Sequence, residues 1–273
     1  MNTELQAFLL YRNKLASYAI FISFLYPILL IFIASILIMQ MQTILFLRLL
    51  AIALLTIQVI LILNKLNSEF KEYYDQKKIN TKSAIEGTQR ERLLNLITPI
   101  VKNKETRKPL DFIYAGKGRE TGAYSSIRFS YIFLSRRILD LSDYTIQSVL
   151  AHEYVHLVAN DYLKLIFISC VRILTLFCVA SFTIVLLFRI PLLISIPICL
   201  INFALFRFFY KWAERILENT ADIGTAILGF GPGLIHFFQL FEPIPSIKVW
   251  LTDSHESNKN RIKNIKNTIN TLN

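Results

Sequence analysis

The sequence predicts a mainly α-helical membrane protein with four membrane-spanning helices and a small β-sheet. Apolar residues make up 54% of the 273 residues, which exceeds what a soluble domain of this size carries. The mean hydropathy is +0.46. Four apolar stretches reach the length of about 20 residues that a helix needs to cross a bilayer core of about 30 Å. These stretches are residues 15–39, 44–63, about 166–188 and about 190–210.

The basic residues predict that both termini and both large polar segments lie in the cytoplasm. Arg12 and Lys14 precede the first span and five lysines follow the second, whereas the connection 40–43 is uncharged. Basic residues collect on the cytoplasmic side of spans. The chain is therefore divided into four segments. They are 1–63 with two spans, the cytoplasmic part 64–163, 164–210 with two spans, and the cytoplasmic part 211–273.

The cytoplasmic parts contain patterns of helices and short strands. A helical stretch has Leu93, Leu94, Ile97 and Val101 on one side, and residues 110–115 and 124–134 are rich in the aromatic and β-branched residues of strands. Ser142 is expected to cap a helix at about 143–162. A second helix is expected to run from 211 to about 228 and to break at the glycine-rich residues 229–233.

Residues 152–156 read His-Glu-Tyr-Val-His, an HExxH motif. Residues four apart share one face of a helix, so His152 and His156 can take adjacent corners of one Zn²⁺, while Glu153 acts on a bound water. The chain has only four histidines, and at its own composition the motif would arise by chance roughly 0.3% of the time. A solvated helix with two unrelated histidines is the alternative interpretation.

A third protein ligand is expected on the later helix, because a catalytic zinc takes three protein ligands and leaves the fourth position to water. Glu214, Glu218 and Asp222 form one stripe there. Glu218 can reach the metal, and Asp222 can accept a ring N–H from a ligating histidine. A solvated helix face is the alternative for these two residues. Glu214 is expected to form a surface ion pair with Lys211 or Arg215.

The spacing between ligands and spans predicts the height of the metal. His156 lies eight residues before Lys164, and Glu218 lies eight residues after Tyr210. If both helices continue straight out of the bilayer, each ligand stands about 12 Å above the boundary, at 1.5 Å per residue.

Together these motifs resemble the HtpX-type membrane metallopeptidases, relatives of the prenyl-protein endopeptidases. The resemblance covers about residues 89–265 and includes the order of two spans, HExxH, two spans and a glutamate helix. Its matching segments are 148–156 with Asp161, the ExxAD segment 218–222, Ser254-His255-Glu256, and Arg261-Ile262. The resemblance implies a zincin-type metalloprotease domain on the cytoplasmic side of a bacterial plasma membrane. It also implies that His255 and Arg261 stabilise the oxyanion or tie down the site; a loop histidine and a surface arginine are the alternatives.

Two segments depart from the family pattern. Glu256 stands where the family has proline, and residues 122–125 replace an Asn-Ala-Phe-type edge segment that helps to hold substrate. The second change bears on the substrate contact rather than on the metal site. His236 is interpreted as a partly buried helix residue and not as a ligand.

The expected function is that of a zinc endopeptidase that cleaves membrane or misfolded proteins at the cytoplasmic face. One zinc, held by His152, His156 and Glu218, lowers the pKa of its water toward about 7. Glu153 takes the proton and later returns one to the leaving amine. The peptide or protein substrate is expected to bind as a strand along residues 123–128.

Two other classes of protein stay open. One is a membrane signal transducer of the antibiotic-sensing metallopeptidase type, although the chain offers no sizeable extracytoplasmic segment. The other is a membrane scaffold with a structural zinc, which would need a fourth ligand. The lipid bilayer is an expected partner and nucleic acid is not, since no nucleic-acid motif accompanies the net charge of +11. The oligomeric state is left open.

Overall fold

The computed structural model describes residues 3–39, 84–101, 110–115, 121–125, 130–189, 191–240 and 257–272, together with isolated positions within 53–68. The described part of the chain is mainly helical and contains one small sheet, as the sequence predicts. In chain order its elements are α1 (Thr3–Met39), α2 (Gly87–Ile97), β1 (Leu110–Tyr114), β2 (Thr121–Ser125), β3 (Ser130–Leu134), α3 (Arg136–Leu139), α4 (Asp143–Val158), α5 (Asp161–Arg189), α6 (Leu192–Ile227), α7 (Gly231–Leu240) and α8 (Asn258–Leu272).

The sheet has the strand order β1-β3-β2. β1 pairs with β3 in parallel, and β2 pairs with β3 in the antiparallel direction, with Thr121 opposite Leu134. The single strand expected at 124–134 is therefore wrong: two strands, β2 and β3, occupy this part of the chain. Neither glycine nor proline occurs at 126–129, so the sequence between the two strands lacks the two strongest turn signals. Among the described residues, β2 has a partner on one side only.

The hydrophobic core lies between α2, the sheet, α4 and α7. Burying a side chain of the size of leucine or isoleucine stabilises the fold by roughly 1.5–3 kcal/mol. The predicted apolar side of α2 is confirmed, because Leu93 and Ile97 are buried in this core. The largest other side chains of the core with no more than 1% exposure are Ile85, Phe112, Ile132, Leu134, Ile138, Ile146, Val149, Leu150, Leu234 and Ile265.

The helix that carries the HExxH motif begins as predicted but ends earlier than predicted. The Ser142 side chain accepts a hydrogen bond from the backbone N–H of Thr145, which confirms the cap. α4 ends at Val158, because Asn160 takes a left-handed backbone conformation with φ 55°, which asparagine tolerates better than most residues. A straight helix from His156 into the third span is therefore wrong, and the height derived from His156 loses its basis.

α6 runs without a break from Leu192 to Ile227, and its predicted end at about 228 is confirmed. Gly229 has φ +90°, and the N–H of Phe230 donates to the carbonyl of Thr225 at 3.0 Å. These are the features of a Schellman ending, which favours glycine. The predicted break is shorter than 229–233, because α7 already starts at Gly231.

The C-terminal helix α8 has no counterpart in the sequence-based prediction. It spans Asn258–Leu272 and buries Arg261 and Ile265, while most of its other residues are polar. A helix with so few apolar residues gives a weak periodic signal. Its position is fixed by contacts with residues distant in sequence, such as the hydrogen bonds from Arg261 to Asp222.

The chain divides into two compact units. The first comprises Met1–Leu15, Lys71–Leu163 and Arg215–Asn273, and the second comprises Ala16–Phe70 and Lys164–Glu214. The first unit contains the sheet and the HExxH helix. In the second unit, Tyr26 of α1 donates a hydrogen bond to the carbonyl oxygen of Asn202 in α6, at 3.0 Å.

Among the described residues, two helical segments are long and apolar enough to cross a membrane by length and composition, Thr3–Leu30 and Leu193–Ile227. They overlap the first and the fourth expected spans. The third expected span lies inside α5 (Asp161–Arg189). The second, residues 44–63, lies mostly outside the described residues.

Candidate metal centre

The structure brings together the three side chains predicted to bind metal. His152 and His156 lie one turn apart on α4, and their Nε2 atoms are 3.2 Å apart. Glu218 of α6 places Oε2 3.6 Å from Nε2 of His152 and Oε1 3.7 Å from Nε2 of His156. One ligand atom from each residue therefore faces a common point within the first unit.

Small residues allow α4 and α6 to approach closely enough for this arrangement. A Cβ atom on Gly224 would lie 2.9 Å from Cγ1 of Val155. Leu5 and Leu9 of α1 cover the same contact and pack against Ala221. Since Val155 lies within the motif, directly before His156, this packing sets the position of the motif relative to Glu218.

A carboxylate lies beside the Nδ1 atom of each of the two histidines. Asp161 Oδ2 is 2.8 Å from Nδ1 of His156, and Asp222 Oδ1 is 3.1 Å from Nδ1 of His152, although that ring N–H is not aligned for a hydrogen bond. A carboxylate at Nδ1 favours the tautomer that keeps the proton there. The two Nε2 atoms, which lie near Glu218, are then the ring atoms available to bind a metal.

Arg261 of α8 is buried against the acidic residues of α6. Its Nε and Nη2 atoms each donate a hydrogen bond of 2.7 Å to the two carboxylate oxygens of Asp222. Nη2 also lies 3.4 Å from Oε2 of Glu218, and the guanidinium stacks over the ring of Phe238 at 4.2 Å. Arg261 thus connects α8 to the candidate metal centre. The alternative interpretation of Arg261 as a surface residue is wrong, because its side chain is only 9% exposed.

The carboxylates determine the protonation of the histidines. Burial disfavours the charged form of His152, but the carboxylates of Asp222 and Glu218 outweigh burial and raise its pKa to about 9. The pKa of His156 is raised as well, because Asp161 and Glu218 outweigh the effect of burial there. The ring of His152 is therefore protonated at neutral pH, and a metal must displace a proton from its ligand atom.

The donor set fits one zinc ion. Zn²⁺ takes nitrogen ligands at about 2.0–2.1 Å and carboxylate oxygens at about 2.0–2.2 Å in a tetrahedron, so neighbouring donor atoms lie about 3.3–3.5 Å apart. The separations of 3.2, 3.6 and 3.7 Å between these donor atoms are close to this spacing. Two neutral imidazoles and one carboxylate are also the donors that the HExxH class of zinc sites uses.

Glu153 lies beside these ligands and is only 3% exposed. The Thr121 hydroxyl, at the first residue of β2, donates a hydrogen bond of 2.7 Å to Oε1 of Glu153. Thr121 could not be selected from the sequence, because its contact depends on how β2 lies against α4. Asp161 was part of the family resemblance, but its contact with His156 was not predicted.

Three further predicted residues have different outcomes. Glu214 pairs with Lys211 at 3.3 Å as predicted, but neither side chain is more than 16% exposed, so the pair is not a surface one. His236 lies on α7 and is exposed rather than partly buried. His255 lies outside the described residues.

This set of residues is typical of one class of protein: in metallopeptidases, two histidines of an HExxH helix and a glutamate of a later helix lie next to a further glutamate. The sequence profile of peptidase family M48 matches residues 89–269. The chain belongs to this family, whose members are zinc metallopeptidases.

Ste24p of S. mikatae, known from a crystal structure, is similar to the chain with a TM-score of 0.49 and 14% sequence identity. The match covers 94% of this chain and 66% of Ste24p, slightly less than two thirds of its length. No curated protein matches the chain significantly.

Proposed function

We propose that the protein is a multi-pass membrane endopeptidase that binds one zinc ion and cleaves membrane or misfolded proteins at the cytoplasmic face, in protein quality control. The convergence of His152, His156 and Glu218, with Glu153 beside them, carries the proposal. Membership of family M48 supports peptide hydrolysis.

The residues of the site divide the chemistry between them. Bound zinc would polarise the scissile carbonyl and lower the pKa of a water molecule. His152, His156 and Glu218 would hold the ion, and Asp161 and Asp222 would orient the two rings. Glu153 accepts the proton of the attacking water and then donates it to the leaving amine.

The edge of β2 that faces away from β3 is the surface we propose for substrate. β2 pairs with β3 on one side only among the described residues, and it lies against the HExxH helix. An extended peptide can add to such an edge through backbone hydrogen bonds, which tolerate many side chains. Broad tolerance suits the removal of misfolded proteins of varied sequence.

The membrane placement rests on the apolar helices and on the distribution of charge. Four spans with basic residues on the cytoplasmic side would place residues 64–163 and 211–273 in the cytoplasm. Glu218 follows the fourth expected span by only eight residues of the same helix. Substrates held in the same membrane would therefore gain effective concentration at the site.

Four variants test the metal centre. Glu153→Gln is expected to keep zinc and to lose cleavage of an unfolded membrane-anchored reporter, because it removes the base and no ligand. His156→Ala and Glu218→Ala are expected to lose both zinc and cleavage. Glu214→Ala is the matched control for Glu218→Ala: it carries the same change on the same helix, and it should keep both zinc and cleavage.

The two readouts separate the possible errors. A zinc-free Glu153→Gln protein, or a Glu218→Ala protein with a full complement of zinc, would show that the ligands are wrongly assigned. An active Glu153→Gln enzyme would disprove the role of the base. A wild-type protein that binds zinc but cleaves no reporter would point to a structural zinc in a scaffold.

The topology needs an experiment of its own. Reporter fusions at Gln42 and at Asn273 are expected to report the outside and the cytoplasm, respectively. A cytoplasmic signal at Gln42 would overturn the orientation and leave the metal chemistry intact. In vesicles, equal cleavage of an anchored and a soluble unfolded reporter would contradict the tethering argument.

A further inference from the structure

Strand β2 places a hydroxyl group on the predicted catalytic base. The side chain of Thr121 donates a hydrogen bond of 2.7 Å to Oε1 of Glu153. Glu153 is buried at 3% exposure, and Thr121 is partly buried. A hydrogen bond to a charged acceptor at this distance is one of the stronger contacts in a protein.

The register of the sheet explains why Thr121 and not its neighbour reaches the site. Thr121 pairs with Leu134 and Ala123 pairs with Ile132; both partners belong to the buried core beneath α4. A Cβ on Gly122 would instead lie 3.7 Å from the ring of Phe133. Side chains alternate between the faces of a strand, so Thr121 and Glu153 share a face that position 122 does not reach.

One hydrogen bond limits how the carboxylate of Glu153 can turn. The terminal torsion of a glutamate is broad and has no strong intrinsic preference. With Oε1 held by Thr121, the plane of the carboxylate is fixed and Oε2 takes a defined direction. Because Thr121 opens the edge strand, the strand that we propose for substrate also carries the group that orients the base.

We propose that Thr121 is a positioning residue for proton transfer by Glu153. Its hydroxyl fixes Oε1, so that Oε2 meets the proton of the attacking water in productive geometry. This inference rests on the proposed peptidase function. It assigns Thr121 a role in turnover and none in holding the metal, and this difference makes the inference testable.

Steady-state kinetics of three variants in the zinc-loaded, full-length protein provide the first test. Thr121→Val keeps the shape and removes the hydroxyl, and we expect kcat to fall on the order of tenfold, with KM and zinc content unchanged. Thr121→Ser restores the hydroxyl and should recover kcat to within about threefold of wild type. Thr98→Val is the matched control, because Thr98 is exposed and its hydroxyl donates only to the local carbonyl of Leu94 in the described contact.

A test that does not depend on activity uses thermal unfolding of the metal-free protein. Thr121→Val is expected to lower the melting temperature in the wild-type background but not in a Glu153→Met background, since the hydrogen bond is absent there. The non-additivity of this double-mutant cycle measures the contact itself.

The outcomes distinguish the inference from the function on which it rests. An unchanged kcat for Thr121→Val, or additive shifts in the cycle, would overturn the role of Thr121. A rise in KM at constant kcat would also overturn it, because Thr121 would then serve substrate binding. If the wild type cleaves nothing, the proposed function fails, and the cycle still decides whether Thr121 holds Glu153.

Discussion

Asp161 holds Nδ1 of His156 at 2.8 Å from its carboxylate, although α4 ends at Val158, before Asp161 begins α5. On a continuous helix, a residue five positions after His156 would be turned away from it, since neighbours on one face lie three or four apart. The left-handed conformation of Asn160 changes the direction of the chain. The break between the two helices is therefore what supplies the second histidine with its carboxylate.

Asp161→Ala is expected to weaken zinc binding about 10–100-fold, because it removes the carboxylate that orients His156. Competition with a chelator of known affinity measures the change. Asp143→Ala is the control: Asp143 lies at the other end of α4, is exposed and pairs with Arg92. If Asp161→Ala binds zinc as tightly as the control does, the orienting role is wrong.

Arg261→Ala should destabilise the protein by about 3–5 kcal/mol, because Asp222 would remain buried without its partner. Asp222 is only 1% exposed and loses two hydrogen bonds of 2.7 Å. Denaturant unfolding of the metal-free protein measures the loss. Lys259→Ala on the exposed side of the same helix is the control, and equal stability of the two variants would contradict the assignment.

The sequence was sufficient for the motif and its helices because both are local. A four-residue spacing puts two histidines on one face, and the Ser142 cap and the start of α4 follow from neighbouring residues. The ligand on α6 could be predicted because a catalytic zinc takes a third protein ligand and Glu218 lies on the acidic stripe of the later helix. The ExxAD segment of the similar family agrees with this choice.

Contacts between distant segments could not be predicted in the same way. The two hydrogen bonds from Arg261 to Asp222 cross 39 positions of sequence, and the hydrogen bond from Thr121 to Glu153 crosses 32. No periodic pattern records either contact. The reversal between β2 and β3 was missed for a simpler reason, since residues 126–129 contain none of the glycine or proline that marks most turns.

Gly224→Ala tests the packing that joins the two ligand helices. The added Cβ would lie 2.9 Å from Cγ1 of Val155, and overpacking of this kind destabilises by typically about 1–3 kcal/mol. Val155→Ala removes the clashing methyl groups. Adding Gly224→Ala to a Val155→Ala protein should therefore destabilise it much less than adding Gly224→Ala to the wild type. Thermal unfolding of the single and double variants measures this, and strictly additive losses would show that the two helices do not meet at this point.

The pH dependence of zinc binding follows from the raised pKa of His152. That pKa is about 9 in the metal-free protein, so at pH 7 the ring is protonated and zinc must displace about one proton from it. The apparent zinc affinity should therefore rise by about tenfold per pH unit between pH 7 and 9, and level off above that range. His156, whose pKa is also raised, can only add to this dependence. Calorimetry in two buffers of different ionisation enthalpy counts the released protons.

The same shift predicts an opposite trend for the stability of the metal-free protein. A folded-state pKa of about 9 for His152 lies above the value of about 6.5 expected in the unfolded chain. The stabilisation is then fully present below about pH 6.5 and is lost as the pH rises through about 9. Melting temperatures of the metal-free protein should fall across this window. Asp222→Asn neutralises one of the carboxylates that raise the pKa of His152. In this variant the decrease of the melting temperature across the window should be smaller, and zinc binding at pH 7 should release fewer protons. A flat profile for the wild type, or zinc affinities that are equal at pH 7 and pH 9, would show that His152 is neutral before the metal binds.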